Sequence, residues 1–299
     1  MSLAHCLTFT VNHLQHAALT NCSILAGHIQ AKTPSQTAPI LCLHGWLDNA
    51  ASFIPLAKEL AQIPELAHSA LLAFEFAGHG HSAHRSPDSH YHFVDWVDDI
   101  ASFCQQQGWQ NLTIIGHSMG GMVASALAAS FPELVSKLIL IDSLGLISET
   151  ADKAADQLRM GISSRQRYRK PRKINYRDLD QATEARQAQS DFDYHTALLL
   201  SQRGTIAQTS GISWRADMRL RHVSLYRYTP EQVQAIISAI KCPVLAIVAS
   251  DSKFYQHMQH HTAAYKQLSL VSQQGGHHCH MTQPKQVAAS IREFVNAEL

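Results

Sequence analysis

The stretch Ile114-Ile-Gly-His-Ser-Met-Gly-Gly121 is a β-branched run cut short by glycines around one serine. Leu112 to Ile115 predicts a short buried strand and Met119 to Ser130 a helix, so Gly116-His-Ser-Met-Gly120 falls at a strand-to-helix turn. At such a turn the serine takes strained backbone angles, and side chains in place of the flanking glycines would collide with neighbouring backbone. The turn lifts the serine Oγ above the sheet. The N–H of Met119 opens the helix, where unpaired amides and the helix dipole favour negative charge. Ser118 is thus a candidate nucleophile, and Met119 a candidate oxyanion donor.

Outward from this turn the same rhythm repeats. Pro39 to Leu43, Ala70 to Phe74, Lys137 to Ile141 and Pro243 to Val248 are near-continuous apolar runs, and Leu268 to Ser272 predicts a last strand. Leu7 to Val11 and Ser23 to Ile29 alternate and predict two early strands. Helical spacing marks Ala51 to Gln62, Phe93 to Gln106, Gln256 to Gln267 and Gln283 to Ala297. Buried strands alternating with helices imply a parallel sheet covered on both faces. After Asp142 the rhythm stops for about 95 residues of polar helical sequence. The expected organisation is a core in two pieces, 1–145 and 241–299, with a helical cap at 146–240.

At 299 residues, 45% apolar and 16% charged, the chain has the profile of a soluble globular protein that needs neither disulfide nor metal for stability. A net charge of +1 provides no field that recruits nucleic acid or an anionic membrane. Charge is notable only in Arg159 to Lys173, which holds seven basic residues and no acid. That run reads either as attraction for an anionic substrate or as a solvated cap face. Nucleic-acid binding ranks last, because Tyr168 alone interleaves with the bases. The six cysteines form no CxxC pair and are expected to be reduced thiols in the cytoplasm. No secretory signal and no membrane span of about 18 apolar residues is expected.

Two further segments carry chemistry. His44-Gly-Trp46 ends an apolar run, and its glycine lets the Trp46 N–H turn toward a developing oxyanion. Gln274-Gly-Gly-His-His-Cys-His280 lies between the last strand and the last helix and offers the base that a serine hydroxyl requires. Three histidines in four positions lack the acidic or cysteine-pair spacing of a metal site. No metal or cofactor is expected.

Together with Gly78-His-Gly-His-Ser82 and Gly211-Ile-Ser-Trp-Arg-Ala-Asp217, the segments His44 to Phe53, Gly116 to Gly121 and Gly276 to His280 with Pro284 resemble the α/β-hydrolase superfamily, specifically its serine-hydrolase-like members. The resemblance spans essentially the whole chain. It implies the α/β-hydrolase fold, a mostly parallel central sheet flanked by helices with an inserted helical cap. It makes His277 the base and leaves His278 and His280 as neighbours. For the acid it implies Asp251, just after the strand at Pro243 to Val248, although Asp251 comes one position earlier than the usual spacing. Asp142, at the end of Leu138-Ile-Leu-Ile-Asp142, is the alternative. Glu75 and Asp48 read as structural acceptors. The implied activity is that of a carboxylesterase-like serine hydrolase acting through an acyl-enzyme on an ester or thioester with a small to medium apolar acyl group. Alternatives are a carbon-carbon bond hydrolase or an acyltransferase on the same residues, or a non-catalytic binding protein. The expected partner is a small-molecule substrate, and no feature specifies an oligomeric state.

Overall fold

A computed structural model describes residues 3–31, 38–167 and 174–297, without the side chains of 255–257. The central sheet uses β1 (His5–Val11), β2 (Leu14–Thr20), β3 (Ile40–Leu43), β4 (Leu71–Glu75), β5 (Leu112–His117) and β6 (Val135–Ile141). After a short hairpin of β7 (Thr205–Gln208) and β8 (Gly211–Trp214), β9 (Val244–Ala249) and β10 (Leu268–Gln273) complete it. The eight strands run in the order β1-β2-β4-β3-β5-β6-β9-β10. β1 and β2 pair antiparallel, as do β2 and β4, and every later pair is parallel.

Helices α1 (Ser23–Ala31), α2 (Ile54–Leu60), α3 (Phe93–Gln106) and α4 (Met119–Ser130) belong to the first part of the core. Between β6 and β9 come α5 (Ala154–Arg167), α6 (Leu179–Gln187), α7 (Tyr194–Gly204) and α8 (Pro230–Ser238). Helices α9 (Lys253–Met258), α10 (Cys279–Thr282) and α11 (Pro284–Asn296) close the chain. The two faces of the sheet carry separate cores. Leu41, Leu43, Leu72, Phe74, Ile114 and Leu138 pack with α3 and α4 residues, whereas Cys42, Ala73, Ile115 and Ile139 pack with Phe53, α2 and α11. Alternate residues of one strand therefore face opposite layers, and both are apolar.

One expectation is corrected. Ser23 to Ile29 is helix α1, not a strand: Leu25, Ala26 and Ile29 are buried while Ile24 is 73% exposed, a helical face. The second strand is instead β2, reached from β1 through Asn12 and His13, both at positive φ as a tight hairpin turn requires. Among its helices, the segment expected to be mostly helical also contains the β7–β8 hairpin. Of the basic run, Arg169, Lys170, Arg172 and Lys173 lie outside the described residues, as does Tyr168.

Candidate active site

Parallel strands deliver their C-terminal ends to one edge of the sheet, and the candidate residues gather there. Ser118 follows β5 directly, with φ 50° and ψ −119°, a strained conformation for a residue with a side chain. Two contacts explain the glycines around it. A Cβ on Gly116 would stand 2.5 Å from the Gly121 Cα, and one on Gly120 would enter the carbonyl of Leu43 on β3. The turn is locked between β3 and α4. Ser118 precedes α4 yet makes no capping bond with its side chain, which leaves Oγ for the imidazole.

That imidazole is His277. Its Nε2 lies 2.9 Å from Ser118 Oγ, and its Nδ1 lies 2.5 Å from Asp142 Oδ2. Asp142 is fully buried at the end of β6, with φ 42°, a left-handed conformation that aspartate tolerates better than most residues. Its Oδ1 accepts the Ala249 N–H at 3.1 Å, and its Oδ2 also accepts the Ser252 hydroxyl at 2.5 Å. A carboxylate held by these two donors fixes the ring of His277 with Nδ1 toward Asp142 and Nε2 toward the serine.

Asp251, the first choice for the acid, does not meet His277. It is exposed, and its carboxylate accepts from the Ser250 hydroxyl at 2.9 Å. The loop after β9 explains this: the Asp251 N–H bonds the Gly275 carbonyl and the side chain turns outward, so the following Ser252 faces Asp142. After β9 it is the Ser252 hydroxyl that points toward Asp142.

The oxyanion candidates are arranged by backbone. Met119 begins α4, and Trp46 lies in the turn closed by Asp48 N–H donating to the Gly45 carbonyl at 3.2 Å. Among the described residues neither amide has an acceptor in the loop and turn network. Buried His44 pins this loop: it accepts the Phe76 N–H at Nε2, so Nδ1 carries the proton and donates to the Gly45 carbonyl at 2.8 Å. Burial lowers the His44 pKa and keeps the ring neutral.

Behind His277, its neighbours His278 and His280 join His117, Asp48 and Asp191 in a layer whose pairing no sequence motif indicated. His117 Nε2 donates to the His277 carbonyl at 2.9 Å. Burial, and then the neighbouring histidines, hold the His117 pKa well below 6.5, and burial with the charge of His278 pushes His280 down to about 3. His278 differs. Burial alone would lower its pKa, but the Asp48 charge and the bond to Asp191 outweigh burial and raise it to about 9. Asp48, His117 and His278 offer ligand-type atoms within 4.8 Å of one another. The positive charge a metal would bring is already supplied there by Arg186, paired with Asp48 at 2.6 Å, and by protonated His278.

Glu75 braces the neighbouring loops. It accepts the Ala50 and His81 amides and forms a two-pronged pair with Arg203 at 2.6 and 3.0 Å. Asp217 in the Gly211 to Asp217 stretch is likewise structural, held by Tyr91 and Arg219.

The sequence matches the model of the alpha/beta hydrolase fold over residues 38–284. The chain belongs to this family. It is 27% identical to a serine hydrolase-like protein of Danio rerio over all of this chain and 94% of that one. It is 30% identical to serine hydrolase-like protein 2 of Homo sapiens, covering 90% of this chain and 91% of the other. Among solved structures, hypothetical protein PA1622 of Pseudomonas aeruginosa PAO1 is 31% identical with a TM-score of 0.85, over 98% of this chain and 100% of that chain. The protein is a hydrolase on the alpha/beta hydrolase fold. Among the described residues no helix is long and apolar enough to cross a membrane.

Proposed function

We propose that this protein is a cofactor-independent serine hydrolase that cleaves an ester or thioester through an acyl-enzyme, with Ser118 as nucleophile, His277 as base and Asp142 as the acid that orients it. The observation that carries this reading is the unbroken line from Ser118 Oγ to His277 Nε2 at 2.9 Å and from His277 Nδ1 to Asp142 at 2.5 Å. His277 Nε2 takes the serine proton as Oγ attacks the acyl carbon, and Asp142 stabilises the imidazolium that forms. Negative charge then develops on the former carbonyl oxygen, where the amides of Met119 and Trp46 receive it; losing one such donor costs about 10²- to 10³-fold in rate. The imidazolium returns its proton to the leaving alkoxide or thiolate. Water, deprotonated by His277, releases the acid in a second passage through the same steps.

An apolar acyl group suits the surroundings. Phe254 lies against the His277 ring at 5.2 Å between centroids, and the Trp46 ring is half exposed on the oxyanion loop, its Nε1 tied to the Leu220 carbonyl. Leu220, which accepts that bond, belongs to the segment between β6 and β9, the proposed cap. The test is labelling of the purified protein with a fluorophosphonate, Ser118→Ala as control, followed by hydrolysis of p-nitrophenyl esters of increasing acyl length. An adduct on Ser118 and hydrolysis lost in Ser118→Ala are expected; a wild-type protein that takes no adduct would refute the assignment.

A further inference from the structure

His278 follows the proposed base directly, and its ring is held between two carboxylates from different parts of the chain. Its Nδ1 donates to Asp191 Oδ1 at 2.6 Å, its backbone N–H reaches Asp191 Oδ2 at 3.2 Å, and its Nε2 faces Asp48 Oδ2 at 3.4 Å. The other oxygen of Asp48 takes Arg186 Nη2 at 2.6 Å. Four groups thus alternate in sign, Asp191 on the exposed side and the other three buried or partly buried: Asp191, His278, Asp48, Arg186.

Their origins give the row its meaning. Arg186 is on α6 and Asp191 in the loop before α7, both in the inserted segment, whereas Asp48 closes the turn that presents the Trp46 N–H and His278 adjoins His277. Phe192 backs the row, its ring 4.8 Å from that of His278 and stacked under the Arg186 guanidinium at 5.2 Å. Gly276 contributes the room: a Cβ there would overlap the Asp191 carboxylate. The inserted segment is therefore ion-paired to both loops that shape the site, and not only laid over it.

We propose that Asp191, His278, Asp48 and Arg186 form a latch in which His278 is a positioning residue: seating of the α6–α7 segment fixes the two loops that carry His277 and the Trp46 amide in their reactive register. A segment that merely covered substrate would affect binding. A latch acts on the chemical step, because small misplacements of reacting groups cost as much as about 10²-fold.

The charged and titratable groups facing His278 are Asp191 from the α6–α7 loop, Asp48 with Arg186 behind it, His117 from β5, and His277 and His280 on its own loop. Burial would raise the Asp48 pKa, but the charge and hydrogen bond of His278 together with the charge of Arg186 outweigh it and hold the carboxyl well below its usual range. The latch therefore holds while His278 keeps its proton and loosens as pH passes about 9.

This inference rests on Ser118 being the nucleophile, and its test separates the two. In His278→Gln and Asp191→Asn, kcat for a p-nitrophenyl ester and the rate of Ser118 phosphonylation should both fall about 10- to 100-fold, with KM within about threefold of wild type. The wild-type rate should decline as pH passes about 9, and this alkaline limb should be absent in His278→Gln. Hydrogen–deuterium exchange, which needs no activity, should rise at residues 44–49 and 275–281 in Asp191→Asn, whose partly exposed site spares the core. Wild-type exchange in those loops in Asp191→Asn, or wild-type phosphonylation rates in both variants, would overturn the latch. Absence of an adduct on the wild type would overturn the nucleophile instead, and the exchange would still decide the latch.

Discussion

Asp142→Asn is the substitution on which the proposed mechanism depends most directly. The asparagine carbonyl can keep the bond from the Ala249 N–H, which places its NH₂ where Oδ2 now receives both the Ser252 hydroxyl and His277 Nδ1. An N–H donor then faces the Nδ1 proton. The imidazole escapes the conflict by moving its proton to Nε2, which removes the lone pair that accepts the Ser118 proton. The expected loss in kcat is about 10⁴-fold, or about 5.5 kcal/mol of transition-state stabilisation. Asp251→Asn removes only an exposed acceptor of the Ser250 hydroxyl, so activity should stay within about twofold, or about 0.5 kcal/mol. Both variants are to be assayed for ester hydrolysis and Ser118 phosphonylation, with thermal unfolding as the check on folding. If Asp251→Asn lost as much as Asp142→Asn, or if Asp142→Asn stayed within tenfold of wild type, the assignment of the acid would be wrong.

Three other perturbations follow from the same structure. Because the folded pKa of His278 is raised from 6.5 to about 9, its contribution to stability is complete below about pH 6.5 and is lost as pH rises through 9. Urea titrations should show a decline of at most about 3 kcal/mol over that window, absent in His278→Gln, and a flat wild-type profile would contradict it. Glu75→Gln leaves the Arg203 guanidinium buried without a counter-charge, at a cost of about 3 kcal/mol or about 6–12 °C in melting temperature; an unchanged melting temperature would show that the pair is not needed. Trp46→Ala keeps the backbone N–H but loses the ring that Arg221 stacks on and the bond to Leu220, so kcat should drop less than about tenfold, well short of a lost oxyanion donor. A loss of about 10³-fold would place the ring itself at the reaction.

The parts of the fold that sequence made legible are those with strong periodicity. Phe93–Gln106 and Met119–Ser130 are helices over the expected residues, and the buried runs became the parallel strands. β2 left no signal because Leu14-Gln-His-Ala-Ala-Leu-Thr20 is buried on both faces along most of its length and carries small or polar side chains, so no alternation marks it. At the site, Ser118 and His277 stand in local motifs, whereas the sequence leaves the acid between Asp251 and Asp142. Asp142 and Asp251 both follow apolar strands, and what separates them is the direction each side chain takes in its loop, set by the Asp251 amide bond to Gly275 and by the inward Ser252. The row behind His277 was illegible for a different reason. His278 and Asp191 are 87 residues apart, and Arg186 and Asp48 are 138 apart, so only the folded chain brings them together.

The position of Asp142 at the end of β6 also bears on the order of synthesis. Ser118 and Asp142 end neighbouring strands and precede the inserted segment, while His277 arrives 159 and 135 residues after them. A growing chain therefore holds the proposed nucleophile and acid early and cannot use either until β9, β10 and the loop that follows have closed these long loops. Such distant closures come late and slowly, because chain entropy must be surrendered before the contact exists. On the proposed assignment the unfinished chain carries a serine without its base, and reactivity at Ser118 becomes a stringent report that the C-terminal part of the molecule has folded into place.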